Sequence, residues 1–277
     1  MALRHSGGET TMPTTDILLQ DLDERGVLRL TMNNPARRNP LSEAMLEALH
    51  GAFLDAGANP AVRSIILAAV GPVFSAGHDL KEMTAGRDAP DQGRAYFAKV
   101  MGMCSTLMQS IVNCPKPVIA EVNGVATAAG CQLVASCDLA VATEASGFMT
   151  PGVNIGLFCS TPMVAISRNV SNKHAMEMLL TGEMTSAARA EEMGLVNRVV
   201  AENDLQATTD RFAALIASKS TLTVATGKRA FYAQAEMSLS DAYDYASEVM
   251  VQNMLARDAE EGIGAVLEKR APEWKDA

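Results

Sequence analysis

Two turns rich in small residues carry the chemistry that this sequence can do most readily. Residues 74–80 (FSAGHDL) follow the apolar run 64–67, and residues 127–138 (TAAGCQLVASCD) follow the apolar run 117–120. Small residues begin a helix here, and the N-terminus of a helix presents unpaired backbone N–H groups that attract negative charge. Two turns of this kind can direct two N–H groups at one carbonyl oxygen, which is what an oxyanion hole requires.

Hydrophobic periodicity predicts the elements that hold these turns. The elements predicted in the first half are strands at 17–22, 27–32 and 64–70 and helices at 39–56 and 94–111. Glu24-Arg25-Gly26 is a hairpin signal between the first two strands, and Ser42 is a candidate N-cap. The polar segment 84–93 contains two glycines and a proline, so we expect a mobile loop there.

The second half of the chain becomes mainly helical. We expect a helix that starts at Thr161-Pro162, a helix capped by Thr185 that ends at Gly194, a strand at 195–200, and three or four helices from Asp204 to Arg270. The strand–helix repeats before residue 142 favour a stack of ββα units. A doubly wound nucleotide-binding fold is not favoured, because neither GxGxxG nor GxxxxGK[ST] is present.

Composition limits the class of protein. The 277 residues carry a net charge of −9, which argues against nucleic acid or an anionic membrane as a partner. No apolar run approaches the roughly 20 residues that span a bilayer. Five cysteines without CxxC spacing and four scattered histidines predict reduced packing thiols and no metal site. We expect residues 1–15 to be a disordered tail without a secretory signal, and the protein to be cytoplasmic.

The two turns, in this order and at this separation, resemble the crotonase superfamily, the enoyl-CoA hydratase/isomerase family. The resemblance covers roughly residues 18–275, and residues 150–162 (TPGVNIGLFCSTP) resemble one branch within it. It implies an α/β crotonase (Clp-type) fold of stacked ββα units. Residues 16–200 would form the core with the coenzyme A (CoA) and oxyanion site. Residues 201–277 would form a helical region for oligomerisation.

The resemblance also implies partners and site residues. The expected partner is an acyl-CoA, with CoA entering as part of the substrate and no cofactor bound permanently, in a homotrimer or a dimer of trimers. The backbone N–H groups of His78 and Ala129 take the places of the oxyanion donors. Because these donors are backbone groups, they persist when side chains change.

Several residues resemble the family's CoA contacts. Arg37, Arg38 and Lys81 match basic positions near the phosphates, Lys269 matches a contact at the adenosine end, and Ala76 and Leu80 match contacts to the adenine and the pantetheine arm. Arginine and lysine suit phosphate through charge and, for arginine, a bidentate fork. The alternative is that these basic groups, four among 23, are simply solvated.

The family's carboxylates are missing. Hydratases of this family use two glutamates, whose positions hold Gln132 and Gly152 here, and a third carboxylate position of isomerase-type members holds Ser160. Glutamine takes no proton at neutral pH and glycine has no side chain. General acid–base groups contribute about 10²–10⁴-fold each, so we expect the glutamate-pair mechanism to be disabled.

Other polar groups near the site are candidate replacements. Cys131 lies at a helix start, where the pKa of a thiol can be lowered, although packing is the commoner role there. Cys159 could touch the acyl group, and the imidazole of His78 could titrate near neutrality. Asp79 is expected to brace its turn through hydrogen bonds. The remaining candidate replacements for the missing carboxylates are Thr150, Asn154 and Glu144.

Two classes of function remain open. One is an enzyme that acts on a CoA thioester mainly through the oxyanion hole, by decarboxylation, isomerisation or hydrolysis. The other is a binder or regulator that holds acyl-CoA without turnover. A serine peptidase of the related Clp-type fold needs a Ser–His–Asp set and is set aside, because no histidine follows His174 and His174 itself lies at a predicted helix start.

Overall fold

The structure is a computed structural model that describes residues 16–277. The tail expected at residues 1–15 lies outside the described residues. In chain order the strands are β1 (Leu18–Leu22), β2 (Val27–Met32), β3 (Ser64–Ala69), β4 (Val73–Ser75), β5 (Val118–Val122), β6 (Val125–Thr127), β7 (Leu139–Thr143), β8 (Gly147–Met149), β9 (Thr185–Ser186) and β10 (Arg198–Val200).

Helices surround the strands and dominate the C-terminal part. In chain order they are α1 (Glu43–Ala58), α2 (Leu80–Gly86), α3 (Arg94–Asn113), α4 (Ala129–Ser136), α5 (Ser160–Ile166), α6 (Asn172–Thr181), α7 (Ala187–Met193), α8 (Leu205–Ala217), α9 (Thr221–Gln234), α10 (Leu239–Met254) and α11 (Arg257–Glu268). Short 3₁₀ helices cover Pro35–Arg37, Pro151–Ile155 and Glu202–Asp204. Within residues 16–277, none of the helices combines the length and hydropathy needed to cross a bilayer.

The strands form two sheets. One has the order β1-β2-β3-β5-β7-β10, and the other has the order β4-β6-β8-β9. The chain alternates between them, because β3 leads to β4, β5 to β6 and β7 to β8, and a helix follows each pair. The predicted stack of ββα units is therefore confirmed.

The central strands of the larger sheet are buried on both faces. Ile65 and Leu67 of β3 pack into the main core, whereas Ile66 packs on the opposite side with Ala213 of α8. Parallel strands covered on both faces read as continuous apolar runs, which is the pattern of Ser64–Ala69. These buried strands hold the turns that follow them.

Helix α9 is anchored to this core by a buried polar cluster. The Nζ of Lys228 donates to Oδ2 of Asp138 at 2.7 Å, and the hydroxyl of Tyr232 donates to Oδ1 at 2.9 Å. The backbone N–H of Val118 donates to the same carboxylate. A partly buried carboxylate needs such partners, so the cluster joins α9 to the start of β5.

Several local predictions are confirmed. Strands β1 and β2 form the expected antiparallel pair. Ser42 caps α1 by accepting a hydrogen bond from the N–H of Met45 at 3.3 Å, although the helix itself begins at Glu43. Four helices, α8 to α11, follow Asp204 as expected.

The loop expected at residues 84–93 is partly wrong, since α2 runs from Leu80 to Gly86 and only residues 87–93 form turns. Asp79 begins this helix by accepting from the N–H of Lys81. A Cβ built on Gly86 would lie 2.4 Å from the ring of Tyr96, so the helix end packs tightly on α3.

Three boundaries in the second half are also wrong. Helix α5 begins at Ser160 rather than at Thr161-Pro162. Ser186, not Thr185, caps α7, because the Ser186 hydroxyl accepts a hydrogen bond from the N–H of Arg189 at 3.2 Å. Strand β10 begins only at Arg198, because the N–H of Leu195 still bonds back to the end of α7.

Candidate active site

The first turn is held by the segment before α1, through the buried side chain of Asn39. Its Nδ2 donates to the carbonyls of Val70 and Val73 at 3.0 and 2.8 Å, and its Oδ1 accepts from the N–H of Asn34. Its carbonyl accepts from the hydroxyl of Ser75 at 2.8 Å. A buried amide with all its partners is rigid, so this segment and the end of β4 form one unit.

Backbone hydrogen bonds continue this contact along the turn. The N–H of Ala76 donates to the carbonyl of Arg38 at 3.0 Å, and the N–H of Leu41 donates to the carbonyl of Gly77 at 2.8 Å. The next residue is His78, and its N–H takes no part in these backbone hydrogen bonds.

Asp79 braces the turn from the other side. Its Oδ1 accepts from the N–H groups of Lys81 and Glu82 at 3.0 and 3.4 Å, which starts α2. Its Oδ2 lies 2.5 Å from Nη2 of Arg37, and the carboxylate is almost fully buried. The guanidinium of Arg37, which the family resemblance places near a CoA phosphate, therefore already holds the residue next to His78.

The second turn has a strained backbone. Ala128, which precedes α4, has a φ of 51° and a ψ of −118°, a region that residues with a Cβ seldom adopt. Its N–H donates to the carbonyl of Met149 at 2.9 Å. A Cβ on Gly130 would lie 2.4 Å from the carbonyl oxygen of Ser75, so α4 approaches β4 as closely as glycine allows.

The two turns meet at Gly77. A Cβ built on Gly77, whose φ is +80°, would lie 2.9 Å from the carbonyl oxygen of Thr127 and 3.2 Å from the backbone nitrogen of Ala129. Within residues 16–277, neither the N–H of His78 nor that of Ala129 donates to another protein group. The structure thus brings two unpaired backbone donors to neighbouring turns.

His78 is half-buried, and its ring nitrogens lie inside the protein. In the described part of the chain, both ring nitrogens are buried and make no hydrogen bond of ordinary geometry. Burial lowers the pKa of His78 below its usual 6.5, partly offset by the nearby backbone of Leu41. The ring is therefore neutral at physiological pH, which differs from the expected titration near neutrality.

Gln132 is buried on α4, one turn after Ala129. Its Oε1 accepts a hydrogen bond from the thiol of Cys104 on α3 at a sulfur–oxygen distance of 3.9 Å. Ala129 lies three residues earlier, at the start of the same helix.

Position 152 has no space for a side chain. A Cβ on Gly152 would lie 2.8 Å from the carbonyl oxygen of Leu157 and 2.9 Å from Sγ of Cys159. The thiol of Cys159 thus fills the volume beside Gly152. Ser160 is exposed, and its hydroxyl donates to the carbonyl of Phe158 at 3.3 Å.

Neither nearby thiol is activated. Cys131 is fully buried, and burial together with the neighbouring Cys159 raises its pKa to about 12. The lowered pKa considered for Cys131 at the helix start is therefore wrong, because burial outweighs the helix terminus. Burial also raises the pKa of Cys159, opposed by the backbone N–H of Gly152.

The residues that resemble CoA contacts are divided between two places. Arg38, Leu80 and Lys81 are exposed around the first turn, and Ala76 is half-buried in it. Lys269 is exposed at the end of α11. Among the described residues, no hydrogen bond or ion pair joins that helix to the first turn, and its neighbouring C-terminal segment is tied to Arg63 and Ser218 instead.

Comparison with known proteins settles the family. The family model described as enoyl-CoA hydratase/isomerase matches residues 23–277. This chain belongs to that family. The resemblance inferred from the two turns is therefore confirmed.

Within the enoyl-CoA hydratase/isomerase family, the branch resembled by residues 150–162 is that of enoyl-CoA hydratase domain-containing protein 3. The mitochondrial protein of this name from Rattus norvegicus is 49% identical over 98% of this chain and 87% of its own length. The crystal structure of the human protein has a TM-score of 0.88 at 50% identity and covers 93% of this chain and 100% of its own. An enoyl-CoA hydratase structure from Mycobacterium smegmatis has a TM-score of 0.90 at 52% identity, covering 94% and 99%.

These likenesses confirm the crotonase fold and correct one prediction. The relatives from Rattus norvegicus, Mus musculus, Xenopus laevis and Homo sapiens are all named mitochondrial proteins. The expected cytoplasmic location is contradicted by these names.

Three contacts in this site were not predicted from the sequence. The pair of Arg37 and Asp79, the bond from Cys104 to Gln132 and the packing of Cys159 on Gly152 join residues far apart in the chain. Only the capping role of Asp79 had a local signal, since Glu82 follows it three residues later as in a capping box.

Proposed function

We propose that this protein binds acyl-CoA thioesters and polarises the thioester carbonyl with the backbone N–H groups of His78 and Ala129. The observation that carries the proposal is the approach of Gly77 to Ala129, which sets two unpaired donors on neighbouring turns. A thioester oxygen gains negative charge in an enolate or a tetrahedral adduct. Each aimed donor stabilises such an oxygen by about 3–4 kcal/mol.

The proposed CoA contacts surround the same turn. Arg38 and Lys81 are exposed and can approach the phosphates, while Ala76 and Leu80 line the path of the adenine and the pantetheine arm. Lys269 remains the proposed contact at the adenosine end. Arg37 shares its charge with Asp79, so its contribution to phosphate binding is smaller than that of Arg38.

Efficient hydration is not supported. Water addition in this family relies on two glutamates, and positions 132 and 152 hold an amide and no side chain. The function that fits is an enoyl-CoA hydratase/isomerase-like activity in which the oxyanion hole does most of the work. Decarboxylation suits this site, because loss of CO₂ itself generates the enolate without a protein base; isomerisation and thioester hydrolysis are the other candidates.

A non-catalytic acyl-CoA binder or regulator is the second candidate. The packing of Cys159 against Gly152 favours it, because this packing leaves no volume for an acid or base at that position. The neutral, enclosed imidazole of His78 also offers no charged group to a substrate.

We also propose that the protein is a homotrimer or a dimer of trimers through its C-terminal helices. Leu239, Leu255, Val266 and Leu267 are each more than three-quarters exposed in the single chain. These exposed apolar side chains are available to pack against another subunit. Light scattering should give a multiple of the 29.3 kDa chain mass, and a mass of 29.3 kDa at micromolar concentration would contradict the assembly.

The test of function is a mass-spectrometric screen of the purified protein against 2-enoyl, 3-enoyl, malonyl and methylmalonyl thioesters of CoA. Calorimetry with the same ligands and free CoA runs in parallel. A new product makes the protein an enzyme for that thioester. Binding without any mass change selects the binder, and absence of binding to the whole panel contradicts the proposal itself.

A further inference from the structure

The amide of Gln132 is the one polar side chain at a family carboxylate position that is buried in this site. Side chains on a helix lean towards its N-terminus. The amide of Gln132 therefore lies over the first turn of α4, where the N–H of Ala129 is unpaired. Positions three apart on a helix have Cβ atoms about 5–6 Å from each other.

The orientation of this amide is determined by Cys104. Burial raises the pKa of the Cys104 thiol to about 12, so the thiol keeps its proton and acts as a donor. Its partner is Oε1 of Gln132, at 3.9 Å. The oxygen end of the amide is thus occupied, and Nε2 is directed away from Cys104.

The Nε2 end remains available. Within the described residues, Nε2 of Gln132 donates to no protein group, and it is not among the fully enclosed atoms that lack a partner. An amide N–H₂ that has no protein acceptor but is open to a ligand can donate to one.

Three other polar groups of the candidate site are already paired, packed or buried. The carboxylate of Asp79 is held by Arg37, and the thiol of Cys159 fills the volume at Gly152. The imidazole of His78 is enclosed in the protein. The site therefore combines the two backbone N–H donors with an amide donor, Nε2 of Gln132, at a position where the family's hydratases have a carboxylate.

We propose that Nε2 of Gln132 determines specificity by donating a hydrogen bond to an oxygen on C3 of the acyl group. The ligand class is a 3-oxoacyl-CoA or a malonyl-type acyl-CoA, in which a carbonyl or carboxylate oxygen lies two carbons from the thioester carbon. This inference rests on the proposed function, since the thioester oxygen must occupy the N–H groups of His78 and Ala129. A 2-enoyl-CoA has no oxygen for the amide.

The test compares dissociation constants of butyryl-CoA, 3-oxobutyryl-CoA and malonyl-CoA by calorimetry. The wild type should bind the second ligand about three- to tenfold more tightly than butyryl-CoA, and malonyl-CoA more tightly again, because a charged acceptor makes a stronger hydrogen bond. In Gln132→Met, which keeps the volume but removes the donor, the ratios should fall towards one. Gln109→Met, an exposed glutamine on α3, is the matched control and should keep the wild-type ratios.

The outcomes separate this inference from the proposed function. Equal affinities in the wild type, or ratios that persist in Gln132→Met, overturn the role of Gln132 but leave acyl-CoA binding intact. No binding of any thioester or of free CoA contradicts the proposed function instead.

A second variant covers the case in which Gln132→Met does not fold. Cys104→Ala removes the donor that orients the amide, so the preference for 3-oxobutyryl-CoA should fall at least about twofold. An unchanged preference in that variant contradicts the role of Cys104 and, with it, the inference.

Discussion

The turns around His78 and Ala129 differ from positions 132 and 152 in the atoms that they offer to a substrate. The turns offer backbone N–H groups, which every residue except proline carries. Positions 132 and 152 contribute through side chains, and there the carboxylates of the family's hydratases are replaced. Chemistry that resides in the backbone is retained when side chains change, whereas acid–base chemistry is lost with a single substitution.

The two replaced positions differ from each other as well. Gln132 keeps the shape of a glutamate and has a partner in Cys104, so a carboxylate fits there sterically. Gly152 is packed against Leu157 and Cys159, so not even a Cβ fits without movement. One position can be restored by a point mutation and the other cannot.

The largest effect is expected when the backbone pair itself is broken. Gly77→Ala places a Cβ 3.2 Å from the nitrogen of Ala129 and 2.9 Å from the carbonyl of Thr127, at a φ of +80° that alanine disfavours. We expect at least about a 100-fold loss of any thioester turnover, or loss of the increase in Tm caused by acyl-CoA if the protein is a binder.

The control for this change is Gly102→Ala on α3, where a Cβ meets no atom within 4 Å. That variant should keep the response to acyl-CoA. Equal behaviour of the two variants would show that the contact between the turns does not hold the donors.

The variants Gln132→Glu and Gly152→Glu test whether a carboxylate can be restored at each of the two positions. Gly152→Glu should lower the free energy of unfolding by about 1–3 kcal/mol through overpacking, with no gain in hydration of crotonyl-CoA. Adding Cys159→Ala should recover part of the stability. Chemical denaturation and absorbance of the enoyl thioester measure the two quantities, and a stable Gly152→Glu with full hydratase activity would contradict the packing.

Gln132→Glu should be tolerated better than Gly152→Glu. It exchanges one acceptor for another at Cys104, so we expect a loss of stability below about 1.5 kcal/mol despite the burial of a carboxyl group. Wild-type hydration of crotonyl-CoA is expected to be weak, and a wild-type rate equal to that of established hydratases would contradict the account of both positions.

The bracing of the first turn is tested by comparing its two arginines. Arg37→Gln leaves the buried carboxylate of Asp79 without its cation and should lower stability by about 1–3 kcal/mol. Arg38→Gln should weaken CoA binding with little change in stability, because its guanidinium has no ion pair among the described residues. Thermal unfolding measures the stabilising role of Arg37, and calorimetry measures the role of Arg38 in CoA binding. Identical effects of both variants would contradict this assignment of roles.

The smallest effect concerns pH. The pKa of His78 is lower in the folded protein than its usual 6.5, because burial disfavours the charged ring. The unfolded chain therefore binds the proton more readily, and the contribution of His78 to stability is complete above pH 6.5 and is lost as the pH falls towards the folded pKa. His78→Gln should flatten the decrease in unfolding free energy between pH 7.5 and 5.5, while His50→Gln serves as a control.

The fold was predictable because its signals are local. Periodic apolar runs predicted the hairpin, the central strands and the long helix α3, and Ser42 predicted the start of α1. Boundaries failed where a neighbouring residue offered a better cap. Ser186 replaced Thr185 as the cap of α7, and the helix that Asp79 begins continues to Gly86, into the segment 84–93 where a loop was expected.

The candidate site was predictable only for its backbone part. The order of the two turns indicated the donors at His78 and Ala129, but it carried no information on what would surround Gly152 or which cation would pair with Asp79. Those contacts join distant segments, such as Cys104 and Gln132, which are 28 residues apart.

The sequence by itself determined which chemical groups are present: two glycine-containing turns, an amide at position 132 and no side chain at position 152. The tertiary structure decided what those groups can do. It set Gly77 against Ala129 and filled the volume at Gly152 with the thiol of Cys159. It also oriented the amide of Gln132 through a hydrogen bond from the thiol of Cys104. The reason is physical, since residue type specifies the donors and acceptors, whereas packing between distant segments specifies their distances and their protonation.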